Sequence, residues 1–196
     1  MIVGLTGGIG SGKTTVANLF LEFDNVAVYF ADIEAKKLMN SSDIIKHKLL
    51  KEFGNQSYIN NNLNREYIAG IVFNNKEKLQ VLNAIVHPEV KSHFQEFIKL
   101  NKDKSYILYE NAILFESKSN LICDYIISVF TPLNIRIERV MLRDKCSKIE
   151  AENRIKNQWL EDKKNLQSNY LISNYSLSST KNQVKGIHNF LTKKSS

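Results

Sequence analysis

The segment GLTGGIGSGKTT, from Gly4 to Thr15, contains five of the eight glycines in the chain. Gly7 to Thr14 match the spacing of a glycine, four further residues and then Gly-Lys-Thr. An apolar run precedes this match and a segment with helical periodicity follows it, which is the context of a phosphate-binding loop. Glycine permits positive φ and a close backbone approach, so successive N–H groups of such a loop converge on phosphate oxygens. The sequence therefore predicts a nucleotide-binding α/β protein.

The loop residues have individual predicted roles. Lys13 is expected to reach the β- and γ-phosphates, and the Thr14 hydroxyl to ligate Mg²⁺. The amino terminus of the predicted helix Lys13–Phe23 adds a partial positive charge. We expect ATP and Mg²⁺ as the ligands of this loop. The predicted ATP contacts are Gly8, Gly10, Ser11, Gly12, Lys13, Thr14 and Thr15.

Short runs rich in β-branched and aromatic residues predict five strands. They are Ile2–Leu5, Val26–Phe30, Tyr106–Tyr109, Tyr125–Phe130 and Tyr170–Ser173. Helical segments separate these runs, which favours a parallel sheet covered on both faces. About 75 residues between the second and third runs carry no convincing strand. They predict helices at 33–40, 42–53, 64–73, 75–86 and 88–100, and Pro88 is expected to break or start a helix.

The sequence predicts one domain, residues 1–196, with three parts. The core comprises 1–36, 101–134 and 166–196, a helical lobe comprises 37–100, and a helical lid comprises 135–165. Four of the five arginines in the chain lie between Arg136 and Arg154, in or beside the lid. Guanidinium groups bind phosphate through two parallel hydrogen bonds, so this cluster suggests a polyphosphate contact. The alternative is a solvated helix face.

Composition limits the class of function. The net charge of +7 suits either nucleic acid or a small polyanion such as ATP, so a basic nucleic-acid-binding module stays an alternative. No apolar run approaches the length of a membrane helix, and Cys123 and Cys146 are isolated, which favours a reducing cytosol. The guanine-specifying Asn-Lys-x-Asp of GTPases is absent, since Asn101-Lys102-Asp103-Lys104 ends in lysine. A small kinase fits best.

Asp32 stands just past the second predicted strand, where ligands bind at the carboxyl edge of open α/β sheets. A carboxylate there can orient an acceptor hydroxyl and take its proton during phosphoryl transfer. The alternative role is the N-cap of the next helix, and both roles are compatible. Glu110 and Glu116, after the third strand, are expected either to face the same cleft or to serve as surface or capping residues.

Several further segments resemble the dephospho-CoA kinase family, and the resemblance runs nearly end to end. Beyond the loop, the matching segments are ADIEAKKL around Asp32, LNREYIAGIVF, LNAIVHPEV with His87-Pro88, LFE ending at Glu116, IERVMLRDKCSKIEAENRIKNQ and YLISN ending at Asn174. The loop alone is shared by many families. The order and spacing of the other segments are more specific.

The resemblance implies an ATP-dependent transfer of phosphate to the ribose 3′-hydroxyl of dephospho-CoA, the last step of coenzyme A synthesis. It also implies a three-layer P-loop NTPase core with a five-stranded parallel sheet, a helical CoA-binding lobe and a lid. Another small-molecule or nucleoside monophosphate kinase is the alternative. We expect a cytoplasmic monomer or weak homo-oligomer with no nucleic-acid or membrane partner.

The resemblance also implies roles for single residues. The catalytic group is Asp32 as base, with Lys13, Arg139 and Arg143, and the ATP contacts extend to Arg143 and Asn174. The substrate contacts are Asp32, Arg65, His87, Glu116 and Arg154. His87 has the alternative role of a buried, hydrogen-bonded helix terminus. Arg136 lies at a position that the family does not fix and is left out of the predicted site. The family usually has Asp-Ala-Asp where this chain has Phe30-Ala31-Asp32.

Overall fold

The computed structural model describes residues 1–73 and 75–195, which form two compact units. The first unit comprises residues 1–30 and the chain from Asn101 onward, and the second comprises Ala31–Leu100. Residues 31–36, predicted as part of the core, therefore group with the helical lobe. The assignment of 135–165 as a lid stays a prediction.

The first unit is built on a parallel sheet, and the predicted strands are confirmed. Its strands are β1 (Ile2–Thr6), β2 (Val26–Phe30), β5 (Tyr106–Glu110), β6 (Tyr125–Phe130) and β7 (Tyr170–Ser173). Among the described residues this sheet has five strands in the order β2-β5-β1-β6-β7, all parallel. Because β1 is central, the loop that follows it leaves the middle of the sheet at its carboxyl edge.

Helices complete the first unit. They are α1 (Lys13–Phe20), α6 (Leu133–Asp144), α7 (Lys148–Lys156), α8 (Glu161–Leu166) and α9 (Leu177–Ser195). The predicted helix 13–23 thus ends three residues early, and the helical segment predicted at 135–165 is divided among three helices. Lys145 ends α6 in the left-handed conformation, and Ser147 starts α7 with a capping box to Glu150. No helix in the described part of the chain is long and apolar enough to cross a membrane.

The core lies between the sheet and the helices α1 and α9. Strand residues Val3, Leu5, Leu108 and Ile127 are buried there with the apolar faces of both helices. Parallel strands are buried on both faces, which explains why the runs read as continuously apolar rather than alternating. A polar contact in this region joins the Tyr106 hydroxyl to His188 Nδ1 at 2.9 Å.

The second unit is mainly helical, as predicted. Its elements are α2 (Ala31–Ser41), α3 (Asp43–Phe53), β3 (Tyr58–Ile59), β4 (Asn62–Leu63), α4 (Arg65–Val72) and α5 (Lys76–Leu100). The short hairpin of β3 and β4 was missed, because two-residue strands leave no periodic signal. Asn60 and Asn61 turn it with positive φ, which asparagine tolerates better than most residues.

The expectation that Pro88 breaks or starts a helix is wrong. Pro88 lies inside α5, which continues from Lys76 to Leu100. An internal proline removes one hydrogen bond and clashes with the preceding turn, at a cost of about 3 kcal/mol. Ile85 and Val86 before it and Val90 and Phe94 after it are all buried, so packing on both sides holds the helix together.

We predict that His188 makes the stability of the protein depend on pH. It is only 8% exposed, and its ring stacks on Phe23 with centroids 3.7 Å apart. Burial lowers the pKa of His188, so below about pH 6.5 the unfolded chain binds a proton that the folded chain resists. The free energy of unfolding should therefore fall as the pH is lowered through this range, and be fully retained above it.

The measurement is chemical unfolding of the wild type and His188→Gln between about pH 8 and pH 5. The variant should lose much of the pH dependence, whatever its absolute stability. His47→Gln removes an exposed histidine and should keep the wild-type dependence. Equal pH dependence in wild type and His188→Gln would contradict the prediction.

Candidate active site

The loop between β1 and α1 depends on glycines in conformations that other residues avoid. Gly7, Gly10 and Gly12 have φ of 148°, 81° and 87°. A Cβ at Gly7 would stand 2.5 Å from the Val129 carbonyl oxygen, and one at Gly10 would stand 2.6 Å from the Arg136 carbonyl oxygen. Both obstacles are backbone atoms, which cannot move aside as a flexible side chain would. The glycines are therefore required by conformation and by close packing.

Lys13 and Thr14 occupy the start of α1, directly after Gly12. Lys13 is 8% exposed, and its Nζ lies 3.3 Å from the Gly8 carbonyl oxygen, so the side chain folds back across the loop. Thr14 and Thr15 are exposed at the amino terminus of the helix. Lys13, Thr14 and Thr15 thus lie together at the amino terminus of α1, where the partial positive charge of the helix and the ammonium group both favour an anion.

The far side of the loop is braced by residues at the carboxyl edge of the sheet. Asn174 Nδ2 and Thr131 Oγ1 both donate to the Ser11 carbonyl oxygen, at 2.9 and 3.0 Å. The Thr180 hydroxyl donates to Asn174 Oδ1 at 3.0 Å, so both ends of this amide are engaged. A Cβ at Gly12 would collide with Asn174 Nδ2. The structure therefore gives the Asn174 side chain a role in supporting the loop.

Arg139 lies beside the loop, and its catalytic role stays a prediction. Its Nη1 is 3.4 Å from the Gly10 carbonyl oxygen, and its Nη2 is 3.5 Å from the Asn174 carbonyl oxygen. It borders an open pocket of about 300 Å³ next to the end of the loop. The pocket is lined by Gly12, Thr15, Arg139, Asn174, Tyr175, Ser176 and Leu177. Its size is at the lower end of the range for small-molecule sites.

The segment from α6 to α8 holds the middle of the loop at Ile9. The Ile9 N–H donates to Gln158 Oε1 at 2.8 Å, and its carbonyl oxygen accepts from Arg136 Nε at 2.9 Å. Its side chain packs on a small apolar cluster formed by α6 and α7, whose members are Ile137, Val140, Met141, Cys146, Ala151 and Ile155. The loop is thus fixed in the described structure by a segment more than 120 residues away in the chain.

Arg136 and Glu161 belong to this contact, and neither was predicted from the sequence as a site residue. Arg136 is 4% exposed, and its Nη1 lies 2.7 Å from Glu161 Oε2. A Cβ at Gly8 would collide with this guanidinium. The resemblance gave no reason to include position 136. Helical periodicity was the available signal, because Arg136 shares the buried face of α6 with Val140.

The charge of Glu161 is unusually enclosed. Burial raises the pKa of its carboxyl group, while Arg136, the Gly8 N–H and Lys13 each favour the charged form. Among the described residues, no group donates a hydrogen bond to Glu161 Oε1. The carboxylate therefore interacts with positive charge at the loop, while its Oε1 has no hydrogen-bond donor among the described residues.

Arg143 and Arg154 both bind the carboxylate of Asp144. Arg143 bonds Asp144 through Nε and Nη2 at 2.8 and 2.9 Å, and Arg154 Nη1 reaches Asp144 Oδ2 at 2.7 Å. The hydrogen bonds from Arg143 hold the pKa of the Asp144 carboxyl group below its usual value. The Arg143 side chain is 61% exposed, so it stays accessible to a ligand.

Glu116 connects the region after β5 to the segment that leads into α8. Its Oε1 accepts from the Trp159 N–H at 2.9 Å and lies 2.9 Å from Lys164 Nζ. Lys164 is fully buried and also donates to the Ala112 carbonyl oxygen at 2.7 Å. Glu110 is buried at the last position of β5. A substrate contact at Glu116 stays a prediction beside this observed structural role.

Three predicted site residues lie in the second unit. Asp32 is the second residue of α2 and is exposed, so it sits inside the first turn rather than at the N-cap. Arg65 is the first residue of α4 and is exposed. His87 is exposed within α5, so the alternative of a buried helix terminus is wrong. All three are accessible to a ligand.

Comparisons with solved structures agree with the fold. A protein of Thermus thermophilus is 28% identical, with a TM-score of 0.83 over 97% of both chains. The dephospho-CoA kinase of Campylobacter jejuni is 22% identical, with a TM-score of 0.64 over 98% of this chain and 97% of that one, and it supports the fold alone.

The sequence comparisons are more specific. A curated dephospho-CoA kinase of Fusobacterium nucleatum is 36% identical over 177 residues, which are 90% of each chain. The sequence profile of the dephospho-CoA kinase family matches residues 1–179. All of the predicted site residues and the whole of the second unit fall within that match. This chain belongs to the dephospho-CoA kinase family.

Proposed function

We propose that this protein transfers the γ-phosphoryl group of ATP to the 3′-hydroxyl of the dephospho-CoA ribose. The observation that carries the proposal is the formed phosphate-binding loop, with Lys13 folded across it, in a chain of this family. The loop supplies a site for the donor, and the family supplies the acceptor.

The triphosphate of ATP binds along Gly8–Thr15, where the loop amides and Lys13 face its β- and γ-phosphates. The nucleoside extends into the open pocket beside Gly12 and Arg139, where Tyr175 offers an aromatic surface. Because the loop is braced by hydrogen bonds on both sides, its amides are oriented before the nucleotide arrives. Such preorganisation lowers the reorganisation cost of phosphoryl transfer.

Mg²⁺ fits the same site. The exposed Thr14 hydroxyl at the start of α1 offers one oxygen ligand. The described residues contain no cluster of three or more His, Cys, Asp or Glu side chains that could hold a metal ion. Mg²⁺ commonly binds through one or two protein groups with substrate phosphates and water, so this donor set suits it. When bound, the ion neutralises charge on the β- and γ-phosphates.

In the transfer step the 3′-oxygen of the acceptor forms a bond to the γ-phosphorus, and the bond to the β,γ-bridging oxygen breaks to release ADP. Asp32 accepts the proton of the 3′-hydroxyl. Lys13 and Arg139 balance negative charge on the transferred group and the leaving ADP. Little covalent chemistry falls to the protein, so positioning and charge neutralisation supply most of the rate.

Arg143 contacts the ATP phosphates, and Arg154 with Arg65, His87 and Glu116 contacts the acceptor. Arg143 already makes a bidentate contact, in which Nε and Nη2 donate to the two carboxylate oxygens of Asp144. A phosphate group has the same planar pair of acceptor oxygens.

The proposal is tested by ADP release from ATP and Mg²⁺ with dephospho-CoA, AMP and other nucleotides as separate acceptors. Turnover is expected with dephospho-CoA, and Lys13→Met should abolish it. Faster turnover with AMP would identify a nucleoside monophosphate kinase instead. Salt-sensitive binding to DNA or RNA that ATP does not displace would favour a nucleic-acid-binding module.

For Asp32 we predict a loss of rate with little loss of ATP affinity. Asp32→Asn removes the base but keeps the size of the side chain, so turnover should fall by about 100-fold or more. The measurement is kcat with dephospho-CoA, together with the Kd of ATP.

Asp43→Asn is the matched control, because Asp43 is also an exposed acid in the first turn of a helix. It loses the same favourable interaction with a helix amino terminus, and it should keep normal turnover. Near-normal turnover of Asp32→Asn would show that Asp32 is not the base.

A further inference from the structure

The contact between Arg136 and Glu161 lies at the phosphate loop itself, although neither residue entered the predicted site. Arg136 Nε is fixed on the Ile9 carbonyl oxygen, which directs the rest of the guanidinium toward Gly8. Nη1 is then paired with Glu161. Both side chains are almost fully enclosed, at 5% and 11% exposure.

Glu161 lies among the groups that bind phosphate in the proposed function. The charges and donors that favour its ionised form are Arg136, the Gly8 N–H and Lys13. A carboxylate shares with phosphate its negative charge and its paired acceptor oxygens. In the described structure, this side chain therefore uses part of the anion-binding capacity of the loop.

The fit of Glu161 in this position is incomplete. Its Oε1 is buried and, among the described residues, receives no hydrogen bond. Leaving a buried charged oxygen without a donor is costly, so the carboxylate is poorly compensated for its loss of water. A triphosphate carries more negative charge and more acceptor oxygens than a carboxylate. It can therefore bind Arg136, the Gly8 N–H and Lys13 more favourably than Glu161 does.

We propose that Arg136 is a further phosphate-binding residue of this site and that Glu161 is an internal counter-anion, which the triphosphate displaces when it binds. This inference rests on the proposed binding of ATP at the loop. Glu161 is the first residue of the short helix α8. In this proposal the Glu161 side chain moves away from the loop when the triphosphate binds. Arg136 stays in place through Nε and offers Nη1 to a phosphate oxygen.

The displacement has a cost that ATP binding must meet. Each molecule in which Glu161 occupies the loop is unavailable to the triphosphate, so the apparent affinity is lower than the intrinsic one. Removing the charge of Glu161 removes this competitor. Removing the guanidinium of Arg136 removes both the partner of Glu161 and a ligand of phosphate.

The test is calorimetric titration of the full chain with ATP and, separately, with inorganic triphosphate, in the absence of acceptor. Glu161→Gln should bind both about tenfold more tightly than the wild type. Arg136→Gln should bind both about tenfold more weakly, and Arg136→Lys should not recover the wild-type affinity, because a single ammonium cannot reach Ile9 and a phosphate together. Glu152→Gln, which removes an equal charge from α7, is the matched control and should bind like the wild type.

A purely structural ion pair gives a different pattern. In that case Glu161→Gln lowers the melting temperature and leaves the affinity unchanged or weaker, which would overturn the proposal. Thermal unfolding without nucleotide, measured on the same variants, separates a loss of stability from a change in affinity. If the wild type binds ATP and phosphorylates dephospho-CoA while Glu161→Gln matches Glu152→Gln, only this inference fails. If the wild type binds no ATP, the proposed function fails.

Discussion

The structure depends on how closely its backbone can pack around the loop between β1 and α1. The carbonyl oxygens of Val129 and Arg136 stand where side chains of Gly7 and Gly10 would lie. The loop can therefore take this form only with glycine at these positions and only with neighbouring elements in place. This packing fixes the course of the loop backbone.

That packing also explains the distribution of polar contacts in the first unit. Thr131 and Asn174, at the ends of β6 and β7, hold the Ser11 carbonyl oxygen, while Gln158 and Arg136 hold the two backbone groups of Ile9. Residues at the ends of β6 and β7 thus hydrogen-bond one part of the loop, and residues of the segment from α6 to α8 hydrogen-bond another. Movement of the segment from α6 to α8 would change the contacts of Ile9 directly.

The elements that could be predicted from the sequence are those in which a local pattern of residues has one physical cause. The spacing around Lys13 and the five apolar runs have such causes, and the structure contains the corresponding loop and strands. Pro88 was misjudged because its local penalty is outweighed by packing along α5, which no local pattern reports. The hairpin at Asn60 and Asn61 was too short for a periodic signal.

The site was predictable only in part, for a related reason. Lys13, Thr14 and Arg139 follow from a motif or a resemblance, and the structure places them at the loop or next to it. Arg136 and Glu161 meet only after α6 and α8 have folded, and their separation of 25 residues carries no motif. The expected contact of Asn174 with the nucleotide stays a prediction, and the hydrogen bonds of its amide with Ser11 and Thr180 were not predicted. Pairs of residues that are distant in the chain, such as Arg136 and Glu161, can be identified only from the three-dimensional structure.

The proposed function requires that this loop deliver a phosphoryl group to one particular hydroxyl. The most direct test is ³¹P and ¹H NMR of the product formed from ATP and dephospho-CoA by the purified protein. We expect one new phosphomonoester, coupled to the proton on the 3′ carbon of the ribose, in amounts equal to the ADP formed. A phosphate on the 2′ carbon, or release of inorganic phosphate without a new ester, would contradict it.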